Sequence, residues 1–493
     1  MQRTKQKYTL FSAKALALLI IPIVIEAALS MSLGLVDSFM VKDIGNLGNA
    51  VSAVSNVDQI SNLLIQLFVA FGVGGAVITS QYLGANKAED ANKSAKQLIV
   101  IMLLFSFVVT AICLGLNHQI VNLFFGGNNG NGEYLGYAYT YFYFMAASFP
   151  FMALFNACAA LLRAQRKSMN TMLSGAISFA LNVGCNALFI YLFKWGIAGA
   201  AAATLIARIF PAVFLVILLS RKSNLVRIKV FEKFRFDGTM LKKIMRLAVP
   251  SGIENCLFQL GKLLTVSFIT VGIYWVNGVN IDNTANTIGY NINTISCIFG
   301  NGVNTAILTV VGQAVGTGII PQVKHYIKKM LAISYIGNAV NVGITMALSP
   351  LLISVFANNV TPETTALAQK ILWLCLSVQV VTYPLSFGMP AILKANSDVR
   401  YVMAAALASM IVMRVGLCYI LTCDWAGIRL GAMGLWIGMV ADWAVRSMLF
   451  SGRYLSGRWK TSSGLLKPVE VYGESERVAE EELQKIFEKR AEK

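Results

Sequence analysis

Charge is what this sequence has least of. Asp, Glu, Lys and Arg make up only 13% of its 493 residues, where an ordinary soluble domain carries roughly a quarter. That deficit excludes a soluble globular chain. Histidine is nearly absent, and His118 and His325 are the only two. Neither has a neighbour in sequence that would make it a general base or a metal ligand. No phosphate-binding loop, HExxH or nucleophile elbow is present, so no enzyme activity, catalytic residue or cofactor is expected. Energy would have to come from an ion gradient. The eight cysteines are scattered, mostly through apolar runs, and none has the spacing of a metal site or a disulfide framework. They read as buried free thiols.

What the chain does have is apolar surface, at 56% of its residues, and a spanning helix needs about 20 such residues in a row. Twelve runs qualify, near 15–38, 54–81, 97–117, 135–162, 169–193, 196–220, 246–275, 284–314, 328–356, 365–393, 399–422 and 430–452. The first is too long for the apolar part of a signal peptide and contains Glu26, so it reads as a retained span. The net charge of +18 invites a nucleic-acid partner, but the cations sort by loop. Basic stretches such as Lys87 to Lys96, Arg163 to Lys167 and Arg221 to Lys243 alternate with cation-poor loops around His118 to Glu133 and Asn277 to Asp282. That is the positive-inside pattern for an even number of spans with both termini cytoplasmic. The charge orients the protein as a multi-pass component of a cytoplasmic (inner) or plasma membrane. No nucleic acid is expected.

The chain also states one plan twice. Ile21-Pro22 with Glu26 returns as Val249-Pro250 with Glu254, 228 residues on. Gln81-Tyr82-Leu83-Gly84 returns as Gln313-Ala314-Val315-Gly316, 232 residues on. Leu162-Arg163-Ala164 returns as Leu393-Lys394-Ala395 and Gly196-Ile197-Ala198-Gly199 as Gly431-Ala432-Met433-Gly434, 231 and 235 residues on. Each match is short, but four in one order at a nearly constant offset indicate an internal repeat. The expected fold is therefore an all-α polytopic membrane protein. Its twelve transmembrane helices form two six-helix lobes, 1–225 and 246–455, related by a pseudo-twofold axis along the membrane normal. Residues 226–245 form a cytoplasmic linker and 456–493 a cytoplasmic tail.

Polar groups inside apolar spans need a reason, because a charge facing lipid costs several kcal/mol. Glu26 and Asp37 in the first span lie within about 20° of one helical face and about 16 Å apart along the axis. They should face a cavity or the bundle interior. Pro22 removes a backbone hydrogen bond one turn before Glu26 and should bend the helix. The alternative for Asp37 is an interfacial residue, since Lys42 and Asp43 follow closely. For Glu26 and its counterpart Glu254 the alternative is a residue that solvates a cytoplasmic opening. Asn182 and Asn186 are one turn apart on the fifth span, and Thr204 follows the small-residue run Gly199 to Ala203, which permits close helix approach. These oxygens suit ion coordination or a proton-linked network, or simply interhelical packing. Gln259, Asn286, Asn293, Asn301 and Asn304 extend the polar inventory into the second half.

The stretch Leu35-Val36-Asp37-Ser38-Phe39-Met40-Val41 followed by Gly45 resembles the first-helix signature of the multidrug and toxic compound extrusion (MATE) transporters. Gln81-x-x-Gly84-Ala85, Leu162-Arg163-Ala164, Asn182-x-x-x-Asn186, Gly196-x-x-Gly199-Ala200-Ala201-x-Ala203-Thr204 and Val311-Gly312-Gln313-x-x-Gly316 agree with that family in order and spacing. The resemblance covers about residues 10–455. It implies an exporter of organic cations, drugs or toxic metabolites that works by rocking two lobes about a central cleft, driven by Na⁺ or H⁺. It carries the family's first-helix aspartate onto Asp37, its kinking proline onto Pro22, and its polar fifth- and sixth-helix positions onto Asn182, Asn186 and Thr204. If Na⁺ is the ion, Asp37, Asn182, Asn186 and Thr204 are its candidate ligands. Two departures stand out. Asn186 occupies a place where some members have an aspartate, and no acidic residue lies around Gln379 to Gly388 on the tenth span. A flippase for lipid-linked saccharides is the alternative; such relatives carry cationic groups in the cavity. The intramembrane charges legible in the sequence are mainly acidic, which favours a small cationic substrate. Membrane lipids are the other expected partner, and the chain is expected to act as a monomer.

Overall fold

The computed structural model describes residues 10–41, 47–125, 132–228, 235–270, 275–276, 279–356, 361–422 and 430–466. The first half comprises α1 (Ala13–Val41), α2 (Leu47–Gly84), α3 (Ala88–Gly115), the short α4 (Asn117–Phe125), α5 (Gly132–Ala147), α6 (Phe149–Ala164), α7 (Ser168–Asn186) and α8 (Gly196–Ser220). In the second half come α9 (Gly238–Thr270), α10 (Ile281–Ser296), α11 (Ile298–Gly316), α12 (Ile320–Phe356), α13 (Pro362–Tyr383), α14 (Met389–Ala395), α15 (Val399–Ser409), α16 (Cys418–Thr422), α17 (Gly431–Leu455) and α18 (Trp459–Ser462). Three π-helical segments, Ala187–Leu192, Pro384–Gly388 and Met410–Leu417, continue α7, join α13 to α14 and join α15 to α16. Two two-residue strands, β1 (Trp275–Val276) and β2 (Val279–Asn280), pair antiparallel before α10.

Helices occupy all twelve expected places. Among the described residues nine are long and apolar enough to cross a membrane on their own, and a bent pair makes ten. That pair is α5 and α6, expected as one straight span and found bent by 43°. The cause is Pro150, which has no N–H for the carbonyl of Ala146 four residues back. The expected eighth span is likewise interrupted, at Cys297 between α10 and α11. The long helices α9 and α17 miss the hydropathy test because they carry charges in their interiors, Glu254 and Lys262 on one and Asp442 and Arg446 on the other.

In hydrocarbon an unpaired carbonyl costs several kcal/mol, and a proline at position i strips the carbonyl at i−4. Here hydroxyls fill the gap. Ser168 Oγ donates to the carbonyl of Leu18 behind Pro22 at 3.0 Å. Thr110 Oγ1 donates to Ala146 behind Pro150 at 3.3 Å. Ser178 Oγ donates to Ala207 behind Pro211 at 2.7 Å, and Ser349 Oγ to Met346 behind Pro350 at 2.8 Å. At these four prolines the helix-breaking residue is tolerated because the freed carbonyl keeps a donor.

The repeat is visible in the backbone. Arg166 and Ser397, equivalent residues of the α6–α7 and α14–α15 turns, both have φ of 65°. Asn86 and Gly318 match in the α2–α3 and α11–α12 turns at 59° and 77°. Gly196 and Gly431 open α8 and α17 at 59° and 51°. At Gly431 a side chain is excluded on two counts, since its Cβ would also strike the Asp282 carboxylate that caps the Ala432 N–H at 2.8 Å.

The two halves exchange helix ends. Leu16, Leu19, Ile20 and Ile23 of α1 are buried in the core formed by α11, α12, α14 and α15. Reciprocally, Met240, Ile244, Leu247 and Ala248 of α9 are buried in the core of the first half. α1 and α9 thus begin in the opposite half and then cross toward their own.

Candidate functional site

Helices α2 and α11 meet at a tight crossing of the two Gln-x-x-Gly motifs. Gln81 Nε2 donates to the carbonyl of Ala395 at 2.9 Å, and Gln313 Nε2 to that of the equivalent Ala164 at 2.7 Å. Both amides are buried, and a Cβ at Gly84 would collide with the Gln313 backbone as one at Gly316 would with that of Gln81. The glycines are there to let the two backbones touch. Arg166 adds two hydrogen bonds to Gln313 Oε1, at 3.1 and 2.7 Å, and stacks 3.9 Å from the centre of the Phe11 ring. Between these turns, which carry the basic loops, the halves are closed against each other.

Beyond the crossing lies a cavity of about 310 Å³ between the halves. It is lined by Glu26 and Ser30 of α1, Gly72 and Ala76 of α2, Asn156 and Arg163 of α6, and Thr305 and Thr309 of α11. Glu26 is buried at its edge. Its Oε1 accepts from Arg163 Nη1 at 3.1 Å and its Oε2 from Thr171 Oγ1 at 2.7 Å. This corrects the picture of a carboxylate free to solvate an opening: both oxygens are committed. The repeat produces a second copy, in which Lys394 Nζ lies 2.9 Å from Glu254 Oε2. The motifs Pro-x-x-x-Glu and Leu-Arg/Lys-Ala are therefore partners, one ion pair per half.

Asn182 and Asn186 are fully buried on α7, and Asn186 Nδ2 donates to Asn182 Oδ1 at 3.2 Å. Asn182 Nδ2 has no hydrogen-bond partner among the described residues. Helices α7 and α8 run antiparallel, in a register set by Ser174 to Pro211 and Ser178 to Ala207. One more step brings Asn182 level with Ala203 and Thr204. The Thr204 hydroxyl itself donates to Ala200 O at 3.0 Å. The π segment begins directly after Asn186, and its Tyr191 hydroxyl reaches the Met40 carbonyl of α1 at 3.5 Å. Asp37 belongs to α1, but its side chain lies outside the described residues. Pro22 sits inside an unbroken α1. Gln259 is half-buried on α9.

The second half departs most from the sequence reading. Its helices carry interior cations that the sequence reading did not single out, beside the buried acids Asp282 and Asp442. Lys262 of α9, Arg414 of the third π segment and Arg446 of α17 surround the ring of Phe258, at 4.9, 5.0 and 4.7 Å from its centre. Asp442 is the carboxylate among them, 2.9 Å from Arg446 Nε and 3.6 Å from Arg414 Nη1. On the tenth span, Gln379 Oε1 accepts from Ser296 Oγ at 3.1 Å.

Two repeated helical halves, crossed at one end and enclosing a cleft with polar groups in its wall, have the architecture of a membrane transporter. The MatE family model matches residues 22–188 and again 250–420, once in each half. The chain belongs to the MatE family of transporters. It is 25% identical to an uncharacterized transporter, YisQ, of Bacillus subtilis, over 89% of this chain and 93% of that one. It is also 25% identical to the probable multidrug resistance protein NorM of Thermotoga maritima, over 92% and 94%. Among solved structures, the fold matches an outward-facing MATE family transporter with a TM-score of 0.80 at 22% identity, covering 91% of this chain and 96% of that one. A MATE structure in a bent conformation matches with a TM-score of 0.79, also at 22% identity.

Proposed function

We propose that the protein is an antiporter that exports organic cations, drugs or toxic metabolites by alternating access, driven by a Na⁺ or H⁺ gradient. The observation that carries this reading is the cleft between the halves beyond the seal at their basic end, a largely apolar wall that carries Glu26, Ser30, Asn156, Arg163, Thr305 and Thr309. If the basic loops are cytoplasmic, as the positive-inside rule requires, both termini are cytoplasmic and the cleft opens outward in a multi-pass inner or plasma-membrane protein. Exchange then consists of breaking the glutamine crossing and resealing the far side. The name of the Thermotoga relative, a probable multidrug resistance protein, supports the cargo class.

Asp37, Asn182, Asn186 and Thr204 are the proposed ion and substrate groups. A carboxylate can bind Na⁺ or H⁺ and also neutralise a cationic cargo, so the two compete. The difference in affinity between the two conformations drives the shift. Glu26 and Glu254 are already paired and serve to hold α1 and α9 in place. Transport of a fluorescent cation into everted vesicles, with Na⁺ and H⁺ gradients imposed separately, tests the reading. Asp37→Asn should abolish gradient-driven uptake without loss of insertion, and a wild-type rate would refute the assignment. A flippase of lipid-linked saccharides draws its support from the basic cluster of the second half.

A further inference from the structure

We infer that the second half contains a binding chamber for an oxyanion, a carboxylate, phosphate or sulfonate carried on an amphipathic molecule, formed by Lys262, Arg414 and Arg446 around Phe258. Three cations converge on one ring against one carboxylate, Asp442. Its Oδ1 takes Arg446 Nε at 2.9 Å and the Ser409 hydroxyl at 2.6 Å, which leaves Oδ2 facing Arg414 as the one remaining acceptor and two formal positive charges in excess. Arg414 is 5% exposed, yet its Nη1 has no hydrogen-bond partner among the described residues. Its 3.6 Å approach to Asp442 Oδ2 is too long for one. Lys262 has no carboxylate at ion-pair distance among the described residues, and its Nζ rests only on the Phe258 and Tyr290 rings, at 4.9 and 5.9 Å.

Uncompensated positive charge inside a membrane bundle is expensive, and ring faces recover only part of that cost. A bound oxyanion would pair the free guanidinium edge and the ammonium together, with the aromatic rings taking the apolar part of the ligand. The repeat relates this cluster to the cleft, although none of its four residues is among those that line the 310 Å³ cavity. Phe258 occupies on α9 the position of Ser30 on α1, as Glu254 does that of Glu26, and both Glu26 and Ser30 line the cleft. Cargo bound here would then carry an anionic end suited to the second half. This deepens the export reading, on which its purpose rests, but binding can be measured without transport.

The test uses purified full-length protein in phosphatidylcholine nanodiscs and calorimetric titration with naphthalene-2-sulfonate, against its trimethylammonium isostere. Saturable binding of the sulfonate with clear preference over the ammonium is expected. Lys262→Gln and Arg414→Gln should each weaken it by about tenfold or more, the effect of removing one charge-assisted contact. Lys262 is half-buried, so its variant should retain the wild-type melting temperature even if the Arg414 variant does not fold. No saturable binding, equal affinity for both isosteres, or no weakening in the Lys262 variant would overturn the proposal. Repeating the titration in phosphatidylglycerol separates the sources within it: competition assigns the oxyanion to a lipid headgroup, and unchanged affinity assigns it to cargo. Failure of gradient-driven export with sulfonate binding intact would refute the export reading alone.

Discussion

Removing the two glutamine amides at the crossing should shift the protein toward the conformation open at its basic end. Gln81 donates across the interface to Ala395 O at 2.9 Å and to Ser397 Oγ at 3.2 Å, and Gln313 donates to Ala164 O at 2.7 Å. Substitution by alanine leaves a buried carbonyl without that donor, at a cost of about 1–3 kcal/mol per site. These bonds exist only while the halves are closed, so their loss raises the free energy of that state alone. At about 1.4 kcal/mol per decade, the low estimate of about 1 kcal/mol per site gives roughly a fivefold shift for one variant and about 30-fold for both. Gln313→Ala should exceed Gln81→Ala, because Arg166 also loses its two bonds to Oε1. The reporter is Ser80→Cys in a cysteine-free background. Ser80 is fully buried and its Cβ lies 3.1 Å from where a Cβ of Gly312 would stand, so it reacts only when α2 and α11 part. A membrane-impermeant thiol reagent applied to the basic side should label it about 30 times faster in the double variant. A cysteine at the fully buried Ser106, inside the first half, reports unfolding instead. An unchanged rate at position 80, or an equal rise at 106, would refute the gate.

The ion pair at the cleft edge should be more sensitive to losing its cation than its anion. Arg163→Ala strands the buried Glu26 carboxylate and should lower stability by about 3–5 kcal/mol, whereas Glu26→Gln, which keeps the Thr171 hydrogen bond, should cost less than half as much. Thermal melts of the detergent-solubilised protein check the order, and equal losses would show that Glu26 is not held as a charge. For topology, single cysteines at Asn129 and Lys229 should label from opposite faces of sealed vesicles; labelling of both from one face would overturn the proposed orientation.

What could be read from the sequence was whatever is local. Apolar runs, the spacing of Glu26 from Asp37 and the four matched motifs are all properties of short segments, and the helices follow them closely. The bend at Ser148 was there to be read in Pro150, but the expected span ran through it because a proline inside a membrane helix need not break it. What decides is a distant donor, and Thr110 meets Ala146 from 36 residues away. The pairing of Glu26 with Arg163 was hidden for the same reason. Both residues lay in repeated motifs, but 137 residues separate them, and only helix packing could reveal that one motif neutralises the other. The repeat itself held a stronger hint than was drawn from it, since an acid and a base recurring at nearly the same offset are best explained by a shared contact.

The basic cluster is the instructive omission. Cations were read by loop, where positive charge orients a membrane protein, and Lys262, Arg414 and Arg446 passed unnoticed because each sits alone in an apolar run. Helical spacing did carry a signal. Glu254, Phe258 and Lys262 follow one another at intervals of four on α9, and Asp442 and Arg446 do so on α17, so each set shares a face. A face bearing charge cannot be turned to lipid, so two such faces in one six-helix half must look inward, where they can meet. That reasoning places Lys262 and Arg446 in one interior without any structure. What it could not supply is the sign of the balance there, because the third cation, Arg414, stands on a π segment whose wider turn changes which residues face the core.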